Sequence, residues 1–202
     1  LILAMVAFAA PISLPALAVD VDSLHAGPVT KDCGDGKTFT KLGVKWKSFP
    51  VSYYNGAPAE FAPAVEAAFA TYEVLEHPVG QMFVSSGVGA QIEVTFAPID
   101  GPLNILAQTQ IWYNRITKAI VEVNVVFDSA EAWAVLPGIA CGSQGNVIDV
   151  EAVAAHEFGH AVGLGHSSSS TALTMYPFYS LGATKQRTLA TGDVKGVATI
   201  YK

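Results

Sequence analysis

The sequence predicts one α+β domain, and three observations carry that prediction. Apolar residues alternate at Ile92, Val94 and Phe96 and again at Val121, Val123, Val125 and Phe127, the period of half-buried strands. Phe61, Val65, Phe69 and Tyr72 fall at spacings of 4, 4 and 3, the period of a helix with one buried stripe. No repeat, low-complexity tract or linker divides the 202 residues, and a single domain commonly takes about 100–200.

Composition agrees. Hydrophobic residues make up 51% of the chain and charged ones 14%, enough apolar material for a core and too little charge for a disordered chain. The net charge is −6, and no basic cluster exceeds Lys45-Trp46-Lys47. A nucleic-acid surface needs a basic stripe, so that partner class is excluded.

Taken in order, Leu1 to Ala10 is a nearly unbroken apolar run, followed by Pro11, Pro15 and Ala16-Leu17-Ala18. An apolar run ending in Ala-x-Ala reads as a secretory signal peptide over 1–18, cut after Ala18 and lacking its start, since the chain opens on Leu. The expected location is therefore extracellular or periplasmic. Ten apolar residues cannot cross a hydrocarbon core of about 30 Å, and no later run is long enough, so no membrane span is expected. Residues 19–43 read as a short N-terminal segment with turns at Gly27-Pro28 and Cys33-Gly34-Asp35-Gly36. Val51 to Tyr54 reads as a strand ended by Asn55-Gly56, and 59–76 as the helix with the aromatic stripe, provided that Pro63 lies in its first turn. Gln91–Phe96 and Ile120–Phe127 are the next strands. Asp149 is a candidate N-cap for a helix reaching about Gly163, with Glu151 favourably placed in its first turn. Thr191 is the candidate cap of a last helix in which Val194, Val197 and Tyr201 share a face.

Residues 156–166 carry the chemistry: His-Glu-Phe-Gly-His-Ala-Val-Gly-Leu-Gly-His. On a helix, His156 and His160 project from one face and can chelate one metal ion. Gly163 can end that helix in a left-handed conformation and return His166 to the same ion. Three neutral nitrogen ligands with an open fourth position match a catalytic zinc, since structural sites are closed by four protein ligands. Glu157 stands outside the ligand set on the adjoining face, placed to accept a proton from a zinc-activated water. Three of the five histidines fall in this 11-residue window.

With the zinc motif followed by Ser167 and by Leu173-Thr174-Met175-Tyr176-Pro177-Phe178-Tyr179, the sequence resembles the matrixins among the metzincin metallopeptidases. The resemblance covers about 44–202 as a catalytic domain and is strongest from 149 onward. It implies a zincin-like fold: a mostly parallel twisted sheet with two long helices, and a small C-terminal lobe holding a methionine turn and a final helix. It implies a monomeric endopeptidase acting on proteins or peptides, with Met175 beneath the one catalytic zinc. Pro177, Phe178 and Tyr179 would line a wall of the primed-side pocket, and Ala152 and Val153 would leave that pocket deep and apolar. Asp193 matches the second aspartate of the family's final helix, whereas Gly192 replaces the first.

The absence of histidine between His77 and His156 argues against the family's second, structural zinc. Calcium stays open through Asp and backbone oxygen ligands, although no ligand loop stands out. Two readings of Cys33 also stay open. An even cysteine count in an exported chain favours a disulfide with Cys141. The rival reading makes Cys33 a metal-masking thiolate, but Lys31-Asp32 precede it in place of the family's arginine. The alternative to an enzyme is a non-catalytic zinc-binding adhesion or inhibitor module, which would have no need of Glu157.

Overall fold

A computed structural model describes residues 12–13, 18–19, 34–73 and 80–202 of the chain. Most of the 1–18 segment, His25, Cys33 and the stretch 74–79 with His77 lie outside the described residues. Three short strands come first: β1 (Ile12–Ser13), β2 (Ala18–Val19) and β3 (Thr40–Lys41). Then follow β4 (Val51–Asn55), α1 (Ala62–Glu73), β5 (Phe83–Ser85), β6 (Ile92–Ala97), β7 (Ala107–Tyr113) and β8 (Ile120–Asp128). The C-terminal part holds β9 (Trp133–Ala134), β10 (Ile148–Asp149), α2 (Val150–Ala161), β11 (Leu164–Gly165), β12 (Phe178–Tyr179), a 3-10 turn at Lys185–Arg187, and α3 (Thr191–Ile200).

The main sheet has the order β1-β7-β8-β6-β4-β5. Its pairings β5–β4–β6–β8 are parallel, and β7 runs antiparallel to β8. That is the mostly parallel α+β architecture the sequence implies. The strand residues that face the helices, among them Val51, Ile92, Val94, Ile111, Val123, Val125 and Phe127, are fully buried. Val121 does not join them. A register irregularity pairs Tyr113 with Ile120 and Trp112 with Glu122, so Val121 is passed over and turns outward while Ile120 faces the core.

Helix α1 begins later than the apolar pattern suggests, because residues 58–61 form a turn closed on the Pro58 carbonyl. Pro63 is then the second helical residue, where its missing N–H leaves no ladder bond broken. Phe61 at the start of the stripe stacks on Phe96 of β6, and its last two members dock on α2. Phe69 stacks on Phe158 with ring centroids 3.7 Å apart, and the Tyr72 hydroxyl donates to the Ala155 carbonyl at 2.7 Å.

Both ends of α2 are tied by side chains from distant parts of the chain. At its start, Asp149 accepts the Ala152 N–H at 2.9 Å as the N-cap. The same carboxylate takes Arg187 Nε at 2.8 Å and Nη2 at 2.5 Å, and Arg187 also reaches Glu151. At the other end, the carbonyls of Ala161 and Val162, left over by the helix ladder, accept Trp46 Nε1 at 2.9 Å and the Tyr201 hydroxyl at 3.0 Å. Among the described residues, no helix is long and apolar enough to cross a membrane.

The last helix departs from expectation in two details. Thr191 is its first residue rather than its cap, and Asp35 accepts both the Thr191 N–H and its hydroxyl. Val194 is exposed while Val197 and Tyr201 are buried, because the face against the core is completed by Gly196 and Ile200.

Arg187→Leu would leave the Asp149 carboxylate buried without its counter-charge. Removing one partner of such a pair costs about 3–5 kcal/mol. Urea unfolding of the variant should register a loss of that order, and a loss below about 1 kcal/mol would show that the pair does not anchor α2.

Candidate metal centre

His156 and His160 stand one turn apart on α2, and both are almost fully buried. His156 Nδ1–H donates to the Thr174 carbonyl at 2.7 Å, and His160 Nδ1–H donates to the Leu164 carbonyl at 2.9 Å. A carbonyl can only accept, so each ring carries its proton on Nδ1 and turns an Nε2 lone pair inward. These two Nε2 atoms lie 3.0 and 3.1 Å from His166 Nε2. His166 has at most one Nε2 proton to offer, so at least one contact sets two lone pairs against each other. A cation between the rings removes that repulsion. Tetrahedral zinc with nitrogen ligands at about 2.0–2.1 Å requires nitrogens about 3.3 Å apart. The two separations from His166 come within a few tenths of an ångström of this, and all three ligand atoms lie within 4.8 Å of one another.

Burial pushes all three imidazoles toward the neutral form that ligation needs. His156 lies well below the ordinary histidine range through desolvation, reinforced by its two neighbouring rings. Desolvation, helped by the charge of His166, brings His160 down to about 3, and His166 is lowered by desolvation alone.

The third ligand arrives through a turn. Gly163 takes φ +94° and donates its N–H to the His160 carbonyl at 2.8 Å. A side chain there would also meet the Val44 carbonyl at 2.5 Å. Strand β11 then pairs antiparallel with β3, and the Ser167 N–H bonds the Met175 carbonyl at 2.9 Å. Ser167 Oγ lies 3.0 Å from Thr38 Oγ1. His166 therefore sits in a loop clamped from both sides.

Met175 is buried against α2, where a Cβ on Gly159 would stand 2.2 Å from its sulfur. The glycine between the two helix histidines is thus a matter of space: the thioether and the Tyr72 hydroxyl occupy its side. Asp193 fixes the turn beneath, accepting the N–H groups of Thr174 at 2.9 Å and Met175 at 3.3 Å as well as that of Ala190. The space beside Gly192 is taken by the Thr38 carbonyl, 2.2 Å from where a Cβ would lie. An aspartate would not fit in this packing.

Glu157 is fully enclosed. Thr109 Oγ1 donates to its Oε2 at 2.5 Å, while Oε1 accepts no hydrogen bond. Burial raises the Glu157 carboxyl to about 7, against the opposing pull of the Thr109 hydroxyl.

The residues expected around the primed-side pocket are placed unevenly. Ala152 and Val153 are buried in α2, Pro177 is half-buried and Phe178 is 43% exposed. Tyr179 is buried, and its hydroxyl accepts the Asp149 N–H at 2.8 Å and donates to the Ala183 carbonyl at 2.6 Å. Its ring thereby ties the segment after Met175 to the start of α2. Cys141 is held in a disulfide; Cys33 lies outside the described residues. No other group of three metal-ligating side chains gathers among the described residues. Asp128, an acid that calcium could use, instead directs its oxygens at the N–H groups of Asp100, Gly101 and Ala130.

Sequence reasoning missed Thr109, Thr174 and Arg187. For Thr109 a signal existed: Ala107, Thr109 and Ile111 alternate with polar residues, and all three are buried on one face of β7.

The sequence model of the matrixin peptidases matches residues 51–202. Human neutrophil collagenase is 32% identical over 82% of this chain and 35% of its own length. Metalloendoproteinase 1-MMP of Arabidopsis thaliana is 38% identical over 52% of this chain and 26% of its own. Karilysin of Tannerella forsythia is 29% identical over 76% of this chain and 32% of its own. The chain therefore spans about a third of the length of the curated relatives it matches.

The Glu157 shift has a measurable sign in metal-free protein. Its folded value lies above the unfolded one, so its contribution is fully present below about 4.5 and is lost as pH rises through 7. Replacing it with neutral Gln removes that loss. In chelator, Glu157→Gln should exceed the parent in stability by on the order of 2–3 kcal/mol at about pH 8, with little gain near pH 5. Equal urea midpoints for the two proteins at the higher pH would contradict the burial argument.

Proposed function

Since the chain belongs to the matrixin family of metalloendopeptidases, we propose that it is an exported zinc endopeptidase in which Glu157 moves the proton. The observation that carries this reading is the convergence of three histidine Nε2 atoms, the first of them followed in the chain by a buried carboxylate with one oxygen left unbonded. His156, His160 and His166 would hold the ion. Zinc, when bound, supplies Lewis-acid chemistry, acidifying water and polarising the scissile carbonyl.

The remaining steps belong to the chain's own groups. Glu157 Oε1 accepts the water proton, and the same oxygen then delivers it to the departing amine nitrogen. A carboxylate can serve both transfers, because the proton is first taken up and then given back. The carbonyls of Thr174 and Leu164 keep the ligand rings in the tautomer that leaves Nε2 free.

An extended peptide is the substrate form the surface supports. The outer edge of β7 pairs antiparallel with Ile12–Ser13, and Phe178–Tyr179 pairs parallel with Ala18–Val19. A peptide bound by strand addition would follow the same polarity, with main-chain bonds giving affinity and side-chain pockets giving selectivity. Ala152 and Val153, with Pro177, Phe178 and Tyr179, would shape the pocket after the scissile bond.

Export rests on the Ala16-Leu17-Ala18 signal and on the disulfide state of Cys141. The chain's one other cysteine is Cys33, the partner that an even cysteine count suggests. A zinc-binding module without catalysis would retain the histidines but gain nothing from a buried Glu157.

Glu157→Gln should keep one zinc per chain while casein cleavage falls by at least a hundred-fold, an effect of the size associated with losing a general base. Cleavage near the parent rate with zinc retained would sink the proposed role. In a peptide-library profile, Leu, Met or Phe should be preferred after the scissile bond; a preference there for small or charged residues would refute the deep pocket.

A further inference from the structure

We propose that Thr109 is a positioning residue for Glu157, selecting which carboxylate oxygen stays free for proton transfer. The inference rests on the reading of Glu157 given above. Thr109 lies on β7, and its side chain is buried on the face turned toward α2. Its neighbours on that face, Ala107 and Ile111, are apolar, so the threonine hydroxyl is the polar group this face presents.

A threonine hydroxyl has a single proton to give. Here two acceptors are within reach, Glu157 Oε2 at 2.5 Å and the Glu157 carbonyl at 3.3 Å. The nearer, charge-assisted acceptor takes it. Glu157 then presents two unlike oxygens. Oε2 is pinned to the sheet, and Oε1 is buried with no partner. Without the pin, rotation about the last side-chain bond exchanges the two oxygens, and that torsion has broad, nearly two-fold preferences.

The ordinary role of a buried threonine is packing, with its hydroxyl satisfied by the nearest carbonyl. That role accounts for the methyl group and for a bond to the Glu157 main chain. It does not account for the shorter bond to the carboxylate. The two roles separate cleanly, because valine keeps the shape and loses the hydroxyl, while serine keeps the hydroxyl and loses the methyl.

The experiment compares Thr109→Val, Thr109→Ser and Thr109→Ala with the parent and Glu157→Gln, reading kcat, KM and zinc content. Valine and alanine should lower kcat about ten-fold with KM within two-fold, consistent with a lost orienting contact. Serine should stay within two-fold of the parent, and all variants should hold one zinc. Crystals of metal-free Thr109→Val should show the Glu157 carboxylate in more than one orientation, against one in the parent. Parent-like kcat in the valine variant, serine as impaired as alanine, or zinc lost from the valine variant would each overturn the proposal. Should valine fail to fold, the serine–alanine comparison decides it. The Glu157→Gln arm isolates the underlying reading: if that variant is inactive while valine matches the parent, only the Thr109 inference fails.

Discussion

Three neutral imidazoles must meet edge to edge, two of them 3.0 and 3.1 Å from the third, with no set of protons that can satisfy every contact. Much of the C-terminal architecture follows from holding that arrangement. The rings are oriented by two carbonyls, Thr174 O and Leu164 O, which must themselves be immobile. The first is fixed because Asp193 grips the adjacent N–H groups from α3. The second is fixed because β11 pairs with β3. Burial pushes the Asp193 carboxyl upward, while backbone N–H bonds from Thr174, Ala190 and Met175 work against it. A buried carboxylate is tolerable under these terms, since its lone pairs are occupied.

The helix that carries two of the ligands is restrained over its whole length. Asp149, Arg187 and Tyr179 hold its first turn, Phe69 and Tyr72 its middle, and Trp46 and Tyr201 its last carbonyls. Such restraint holds the ligand geometry in place before the metal arrives, so little ordering remains to oppose binding. It also explains the composition of α2. With Val150 and every residue from Ala152 to Ala161 buried, it has no solvent face to fill with charge.

Local features were legible in the sequence because their signals are local. The four-residue spacing of His156 and His160, the cap at Asp149 and the left-handed turn at Gly163 all follow from helix geometry. What escaped depended on contacts between distant segments. Nothing near Gly159 reveals that Met175 and Tyr72 press against it, and nothing near Thr191 reveals that Asp35 caps it. Val121 was misplaced because a bulge breaks the strict alternation on which the reading relied. Strand β7 was overlooked because its polar residues, Gln108, Thr109 and Gln110, mask a buried face of only three side chains.

Glu157, which the proposed chemistry needs, works against the stability of α2. A carboxyl buried in a helix with one oxygen unbonded carries a desolvation cost, and burial accordingly raises it to about 7. Glu131 also has an unbonded buried oxygen, but its other oxygen holds the Leu103 N–H, a loop contact that gives it a structural purpose. Glu157 holds no loop. Its bonded oxygen is met by a single hydroxyl from the facing strand, and its free oxygen belongs to the residue beside the first histidine ligand. Groups that break the rules of burial without a structural return concentrate where function requires them. By that reasoning the energetic anomaly and the proposed proton carrier coincide in one atom, Glu157 Oε1.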